Sequence, residues 1–330
     1  MTTAVRSLLD YRLVVVTGKG GVGKTTVACM LAEAARRAGR SVLLAETAPI
    51  ASIAGFFESD PRPLDYTGRA FRPGLHAIHV DPHEALADYL RLQTGLGMVT
   101  DRVIQTEIFR QLLEAAPGWR ELIVLGKIWH VEQKRQADGS PLYDLIVVDA
   151  PATGHGLTFL DVPRVVQQAV RAGPLARHAS WVEALIHDRE RTLLLPVTLP
   201  EELPVIETLE LVERARGEID IGIDRIVVNR MPAHPLDRIA PALEKLPDDL
   251  DLECLPKVPE LRALLRHAVR RDAVAREERA RVSTASTLPI VDLPYVADRT
   301  ALVSGTGELP LRILEAPVWP DPEQEGVTAA

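Results

Sequence analysis

The run Gly18-Lys19-Gly20-Gly21-Val22-Gly23-Lys24-Thr25-Thr26 constrains this chain more than any other stretch. It directly follows the apolar run Leu13-Val14-Val15-Val16 and directly opens an amphipathic helical pattern. Gly18-x4-Gly23-Lys24-Thr25 fits the pattern G-x-x-x-x-G-K-[ST], whose glycines let backbone N–H groups wrap a phosphate at a helix N-terminus. Gly18, Gly20, Gly21, Val22, Gly23, Lys24, Thr25 and Thr26 are therefore the phosphate-binding candidates. Lys24 is placed to neutralise β and γ oxygens of a nucleotide, and the Thr25 hydroxyl to ligate Mg²⁺. ATP and Mg²⁺ are the expected cofactors.

Further short apolar runs end in polar or glycine-rich turns: Arg12–Thr17, Ser41–Glu46, His76–Asp81, Tyr143–Asp149, Thr192–Thr198, Arg225–Asn229 and Thr287–Leu293. Their hydrophobicity is continuous rather than alternating, which predicts strands buried on both faces of a parallel sheet. Helical patterns separate many of them. Thr26–Ala38 places Val27, Met30, Leu31 and Ala34 on one stripe, with Arg36 and Arg37 in the last turn and Gly39 as a stop. Ile206–Arg216 repeats the pattern and ends at Gly217. Strand and helix in this rhythm predict an α/β fold, a doubly wound, mainly parallel sheet. The expected organisation is one domain over 12–300, with helical insertions at about 82–136 and 157–190 forming a small subdomain. Residues 1–11 form an N-terminal extension. The proline-rich, acidic stretch 316–330 is expected to be a disordered tail.

Composition narrows the setting. With 330 residues, 46% of them hydrophobic, the chain can bury a sizeable core. A net charge of −8 repels nucleic-acid backbones and anionic bilayers, so neither is an expected partner. No window approaches the roughly 20 apolar residues that cross a bilayer, and the N-terminus lacks a signal-peptide core. The expected compartment is the cytosol. The two cysteines, Cys29 and Cys254, have no paired spacing, and Cys29 falls in the apolar pattern of the first helix as a packing residue.

Two more features converge on the phosphate loop. Leu145-Ile146-Val147-Val148 delivers Asp149 at a strand end, where a carboxylate can hold Mg²⁺ directly or through water. Gly154 and Gly156 then let the following loop move with the γ-phosphate, and His155 can couple to that movement. Lys19 points off the loop rather than into its own nest, which frees it to reach a phosphate in a facing subunit.

At this point the sequence resembles the ArsA/GET family, the arsenite-pump and tail-anchored-protein-targeting ATPases of the deviant Walker A type. The loop GKGGVGKT matches the family signature, and DAPATGHGL over Asp149–Leu157 closely resembles the switch II sequence DTAPTGHTL. Ala116–Leu122 resembles the family's PG-x-x-E helix start, and Pro196–Thr208 its segment around the fifth core strand. The resemblance covers most of residues 12 to 300. It implies a nucleotide-sandwich dimer, a homodimer or a heterodimer with a paralogue, in which Lys19 contacts the partner's nucleotide. By the same resemblance Asn229 reads the adenine ring and Pro294 flanks the base. The hydrogen-bonding capacity of an asparagine also suits adenine's N6 and a ring nitrogen.

The chain departs from the family pattern at four places. The family's switch I aspartate orients the attacking water, and Val42–Pro49 places Ala48 there. Glu46 lies on the same strand face about 6.5 Å away. It is a candidate catalytic substitute, beside Lys19, Lys24 and Asp149, or else it caps a turn or contacts Lys19 or Mg²⁺. Two cysteines cannot form a three-thiol metalloid site, and no CxxC is present to share zinc at a dimer seam. Only four methionines occur, against the methionine-rich grooves of tail-anchored targeting. The Leu/Ile/Trp surfaces of 82–136 remain open to core packing or to a smaller client. His79 and His83 are not expected to form a metal site, since the first lies in a strand pattern.

Two functions follow. One is a nucleotide-switch ATPase in which hydrolysis changes the shape of helical insertions on an unidentified protein client. The other is a hydrolysis-poor, nucleotide-binding regulatory or chaperone-like subunit that pairs with a paralogue.

Overall fold

Strands made of continuous β-branched runs have no polar face to give to water, so they must lie between two layers. The computed structural model shows that arrangement. It describes residues 6–48, 52–58, 62–94, 118–151, 153–169, 172–232, 236, 240–248, 250, 257–296 and 309–314. The strands are β1 (Leu13–Thr17), β2 (Val42–Glu46), β3 (Arg69–Arg72), β4 (Leu75–His79), β5 (Leu145–Asp149), β6 (Thr192–Thr198), β7 (Ile226–Met231) and β8 (Ile290–Pro294). They form one sheet in the order β3-β4-β2-β5-β1-β6-β7-β8. All neighbours are parallel except β3, which runs antiparallel to β4 at one edge.

The seven expected strands are present, β6 with the expected bounds and the others with ends shifted by at most three residues, and the fold is the predicted α/β class. β3 was not expected. Its sequence, Arg69-Ala70-Phe71-Arg72, is half charged and has no apolar run, as suits an edge strand. The turn that folds it onto β4 contains Gly74 at φ +80°.

Nine α-helices lie among the described residues: α1 (Lys24–Arg37), α2 (Ala54–Phe57), α3 (Pro82–Thr94), α4 (Trp119–Glu132), α5 (Thr153–Ala169), α6 (Pro174–His187), α7 (Glu202–Arg214), α8 (Ala240–Glu244) and α9 (Val258–Ala285). Helix α1 starts two residues earlier than periodicity indicated, because Gly23 at φ +92° turns the chain directly into it. Of the insertion expected at about 82–136, α3 and α4 are described. Residues 95–117, with Ile104, Ile108, Phe109, Leu112 and Leu113, lie outside the described residues, as do Cys254 and the 316–330 tail.

Strand alternation sorts the core into two layers. Leu13, Val15, Ile146 and Val148 face one side and pack with Ile123, Leu125 and Ile128 of α4, Leu157 and Leu160 of α5, and Val182 of α6. Val14, Val16, Leu145 and Val147 face the other and pack with Val27, Met30, Leu31 and Ala34 of α1. Cys29 is fully buried in that second layer. Burial pushes its thiol well above the ordinary range, so it serves as packing and not as a thiolate.

The layer that contains α4 is fastened to the amino ends of β1 and β6 by a buried charge. Glu132, at the end of α4, has a fully buried side chain and pairs with Arg12 at 3.4 Å and Arg191 at 2.6 Å. These arginines enter β1 and β6. Without the carboxylate Arg12 keeps only its bonds to the Tyr143 and Asp144 carbonyls and Arg191 only its pairing with Asp188, so Glu132→Ala is expected to lower unfolding free energy by about 2 kcal/mol. Urea denaturation of the purified variant measures this.

Candidate functional site

The register of the central strands fixes where polar chemistry can occur. Glu46 of β2 and Val16 of β1 both lie level with Asp149 of β5, so three adjacent strands end at one height. Beyond them the chain must loop, and those loops form the carboxyl edge where such sheets bind ligands.

The loop after β1 is shaped by close backbone approaches. Gly18, at φ +149°, lies against the Val197 carbonyl of β6, where a Cβ would collide with that oxygen. Gly23, at φ +92°, lies against the Asn229 amide, which a Cβ would also strike. Asn229 of β7 donates from Nδ2 to the Val22 carbonyl at 2.9 Å and accepts the Arg230 amide at Oδ1, also at 2.9 Å. It is buried and holds the loop from the second half of the sheet. Arg230 adopts φ +60°, a left-handed conformation uncommon for a residue with a side chain. Pro294 closes β8 opposite Met231, beside this turn.

The functional side chains gather where α1 begins. Lys24 donates from Nζ to the Lys19 carbonyl at 3.1 Å, folding its ammonium back over the loop. Burial lowers its pKa and the nearby Asp149 charge opposes that shift. The Thr25 hydroxyl lies 2.6 Å from Asp149 Oδ2. Asp149 Oδ1 is buried with no hydrogen-bond partner among the described residues. Burial pushes the Asp149 carboxyl up to about 6, with Glu46 adding to the rise while the Thr25 hydrogen bond and Lys24 oppose it.

Hydroxyl and carboxylate oxygens at this separation suit a hard divalent cation, and the unpartnered Oδ1 offers a further oxygen. No group of three or more His, Cys, Asp or Glu side chains able to hold a metal occurs among the described residues. A cation here must draw the rest of its shell from water and phosphate, which is how Mg²⁺ is usually held with nucleotides.

Lys19 and Glu46 have partners of their own. Lys19 Nζ is 2.5 Å from Glu207 Oε1 on α7, so within this chain the signature lysine is paired in cis. Glu46 is fully buried, and its Oε1 accepts from the Ser52 amide at 2.5 Å, the Ser52 hydroxyl at 3.1 Å and the Ile53 amide at 3.2 Å. That set anchors the far end of the loop after β2. Its Oε2 has no hydrogen-bond partner among the described residues and lies 3.8 Å from His79 Nδ1. Thr47 bonds back to the Asp149 carbonyl through its hydroxyl at 2.7 Å. Ala48 follows it, half-buried. Sequence reading missed Glu207 as the partner of Lys19 and the Asn229–Val22 link. Neither is visible from spacing, since the partners stand 188 and 207 residues apart.

A glycine-wrapped loop at a helix start, carrying a half-buried lysine and a hydroxyl set against a strand-end carboxylate, defines a P-loop nucleotide-binding protein. The family model described as anion-transporting ATPase matches residues 11–178. ATPase BagA of Mycobacterium tuberculosis is 34% identical over 317 residues, spanning 90% of this chain and 91% of that protein. ATPase GET3 of Chaetomium globosum is 31% identical over 275 residues, 70% of this chain and 77% of that one. ATPase ARSA1 of Chlamydomonas reinhardtii is 26% identical over 313 residues, 77% of this chain and 39% of that longer one. The chain belongs to the ArsA family of anion-transporting ATPases, as the loop and switch II sequences indicated.

A raised carboxyl pKa disfavours the folded state once the group ionises. Asp149 binds its proton more tightly in the folded protein than at 3.8, so nucleotide-free and metal-free protein should lose stability as pH rises from about 4 through about 6. Asp149→Asn should flatten that slope and raise the melting temperature at pH 7. Thermal unfolding of both proteins across pH 4 to 8 in EDTA checks the sign.

Proposed function

We propose that this protein is an ATP-binding nucleotide-switch ATPase of the ArsA/GET type, which hydrolyses ATP to drive a conformational change of its helical insertions on a client or partner. The observation that carries the reading is the buried Asp149, bonded to Thr25 by one oxygen and unpartnered at the other, at the head of the P-loop helix. In this reading Gly18 to Thr26 wrap the phosphates, Lys24 meets the β and γ oxygens, and Thr25 and Asp149 hold Mg²⁺. Asn229 and Pro294 border the base. The Asn229 amide retains one further N–H beyond its bond to Val22, enough to meet one acceptor of adenine.

Lys19 is assigned to a second subunit's nucleotide, in a homodimer or a heterodimer with a paralogue. Its pairing with Glu207 then describes the separated chain, and dimer closure exchanges a carboxylate for a phosphate. The domain spans about 12–300, and the client binds the insertions at about 82–136 and 157–190. No described helix is long and apolar enough to cross a membrane. We place the protein in the cytosol, acting on a protein partner and not on nucleic acid.

Lys24→Ala should abolish ATP binding, measured with a fluorescent analogue. Lys19→Ala should lower turnover by about 100-fold while ATP affinity changes by less than about 3-fold, because it removes charge stabilisation specific to the transition state. Unchanged activity in both variants would sink the assignment.

A second reading, a hydrolysis-poor regulatory subunit, draws on Ala48 and on the engagement of Glu46 Oε1 by three loop donors. An alanine cannot polarise water, and a carboxylate that fastens a loop is poorly free to do so. Single-turnover hydrolysis by the wild type and by Ala48→Asp separates the two: strong basal hydrolysis favours the enzyme, and a gain of about 100-fold in the variant favours the regulatory subunit.

A further inference from the structure

The chain that leaves β2 is tied down twice, and the two ties lead to different strands. Thr47 gives both of its donors to the Asp149 carbonyl of β5, the amide at 3.3 Å and the hydroxyl at 2.7 Å. Five residues on, Ser52 and Ile53 give three donors to a single oxygen, Glu46 Oε1. Glu46 is itself the last residue of β2, so the path from Glu46 to Ile53 is closed by its own first side chain. Ala48 follows the first tie directly.

A carboxylate is a demanding group to place there. Glu46 is fully buried on a strand paired to β4 on one side and β5 on the other. Its Oε2 has no hydrogen-bond partner among the described residues, and neither has His79 Nδ1, 3.8 Å away. An unpartnered buried oxygen costs about 1–3 kcal/mol, so packing alone does not account for the choice of residue.

The same geometry bears on what Glu46 does for the reaction. Oε1 is taken by three loop donors, and Oε2 is closed off from solvent. Neither oxygen is placed to take a proton from an attacking water, which requires hydrogen-bond reach. What the position uses is length and an acceptor: two methylenes carry Oε1 out to the returning chain, and two backbone amides that would otherwise be stranded are satisfied.

We propose that Glu46 is a positioning residue for ATP hydrolysis, which acts by holding the Thr47–Ala48 peptide beside Asp149 and takes no part in activating water. The inference rests on the ATPase reading. The family's water-orienting position falls on Ala48, so in this chain the element fixed at that place is main chain, held from both sides.

The test compares MgATP hydrolysis by the full-length wild type with Glu46→Ala, Glu46→Gln and Glu46→Asp. Glutamine keeps the reach and an acceptor oxygen without the charge, and its amide N–H can turn toward His79 Nδ1. Aspartate keeps the charge but is one methylene short, on a strand that two neighbours hold in place. Glu46→Ala should lower kcat about 100-fold with KM changed by less than about 3-fold, because lost positioning acts on the chemical step. Glu46→Gln should return to within about 5-fold of the wild type, since the bonds to Oε1 remain, while Glu46→Asp stays with alanine. Affinity for a fluorescent ATP analogue within about 3-fold of wild type reports that each variant is folded. Hydrogen exchange at the Ser52 and Ile53 amides should be slow in the wild type and Glu46→Gln and fast in the other two. If Glu46→Asp fails to bind the analogue, the difference between alanine and glutamine decides alone. An active wild type whose Glu46→Ala variant keeps its kcat overturns the inference and leaves the ATPase reading standing. Rescue by aspartate and not by glutamine does the same, since Glu46 would then act through its charge. A wild type that hydrolyses no ATP overturns both.

Discussion

The central strands of this molecule are buried on both faces, and the rest of the structure follows from that. Val14 and Leu13 point to opposite layers, and each layer is closed by helices whose own stripes have nowhere else to go. A sheet so covered can show polar groups only where strands end. The carboxyl ends of β1, β2 and β5 are level, so Asp149, Glu46 and the start of the P-loop are forced together by register alone. The amino ends carry the opposite solution, in which Glu132 is enclosed by arginines and has no vacant atom. One edge of the sheet is saturated and structural, while the other retains a buried oxygen without a partner.

Much of this was legible in the chain because the signals are local. Continuous apolar runs gave seven strands, and the G-x-x-x-x-G-K-T spacing, set between a strand and a helix, located the phosphate loop. β3 was illegible because an edge strand needs only one neighbour and tolerates Arg69 and Arg72 at its ends. The partners of candidate residues were illegible for a different reason. Lys19 meets Glu207, and Asn229 meets Val22, only after several strands have been laid between them. Glu46 illustrates the limit well. Its place at a strand end could be read, but the capture of its Oε1 by Ser52 and Ile53 depends on how the following loop returns.

Two kinds of polar burial coexist in the fold and should not be confused. Glu33, on α1, is fully buried and ringed by Arg36, Arg37 and Arg72 at 2.8 to 3.0 Å, a satisfied network of the sort that fixes a helix against its neighbours. Asp149 and His178 are buried with an atom to spare. Satisfied groups stabilise a unique packing, whereas unsatisfied ones raise the free energy of the empty protein and lower the relative free energy of any state that supplies the missing contact.

The bond from Asn229 to the Val22 carbonyl has a consequence for how the loop meets its ligand. A glycine-rich segment has the largest chain entropy to lose, and if it were free in the empty protein, that loss would be charged to each binding event. Here β7 reaches across β6 to clamp the loop at its midpoint, with Gly18 seated on β6 and Gly23 on Asn229 itself. Ordering is thus completed during folding, once per molecule. In the proposed nucleotide-binding role, the two halves of the sheet would hold the loop in shape before the phosphates arrive, so little of its ordering would fall on the ligand.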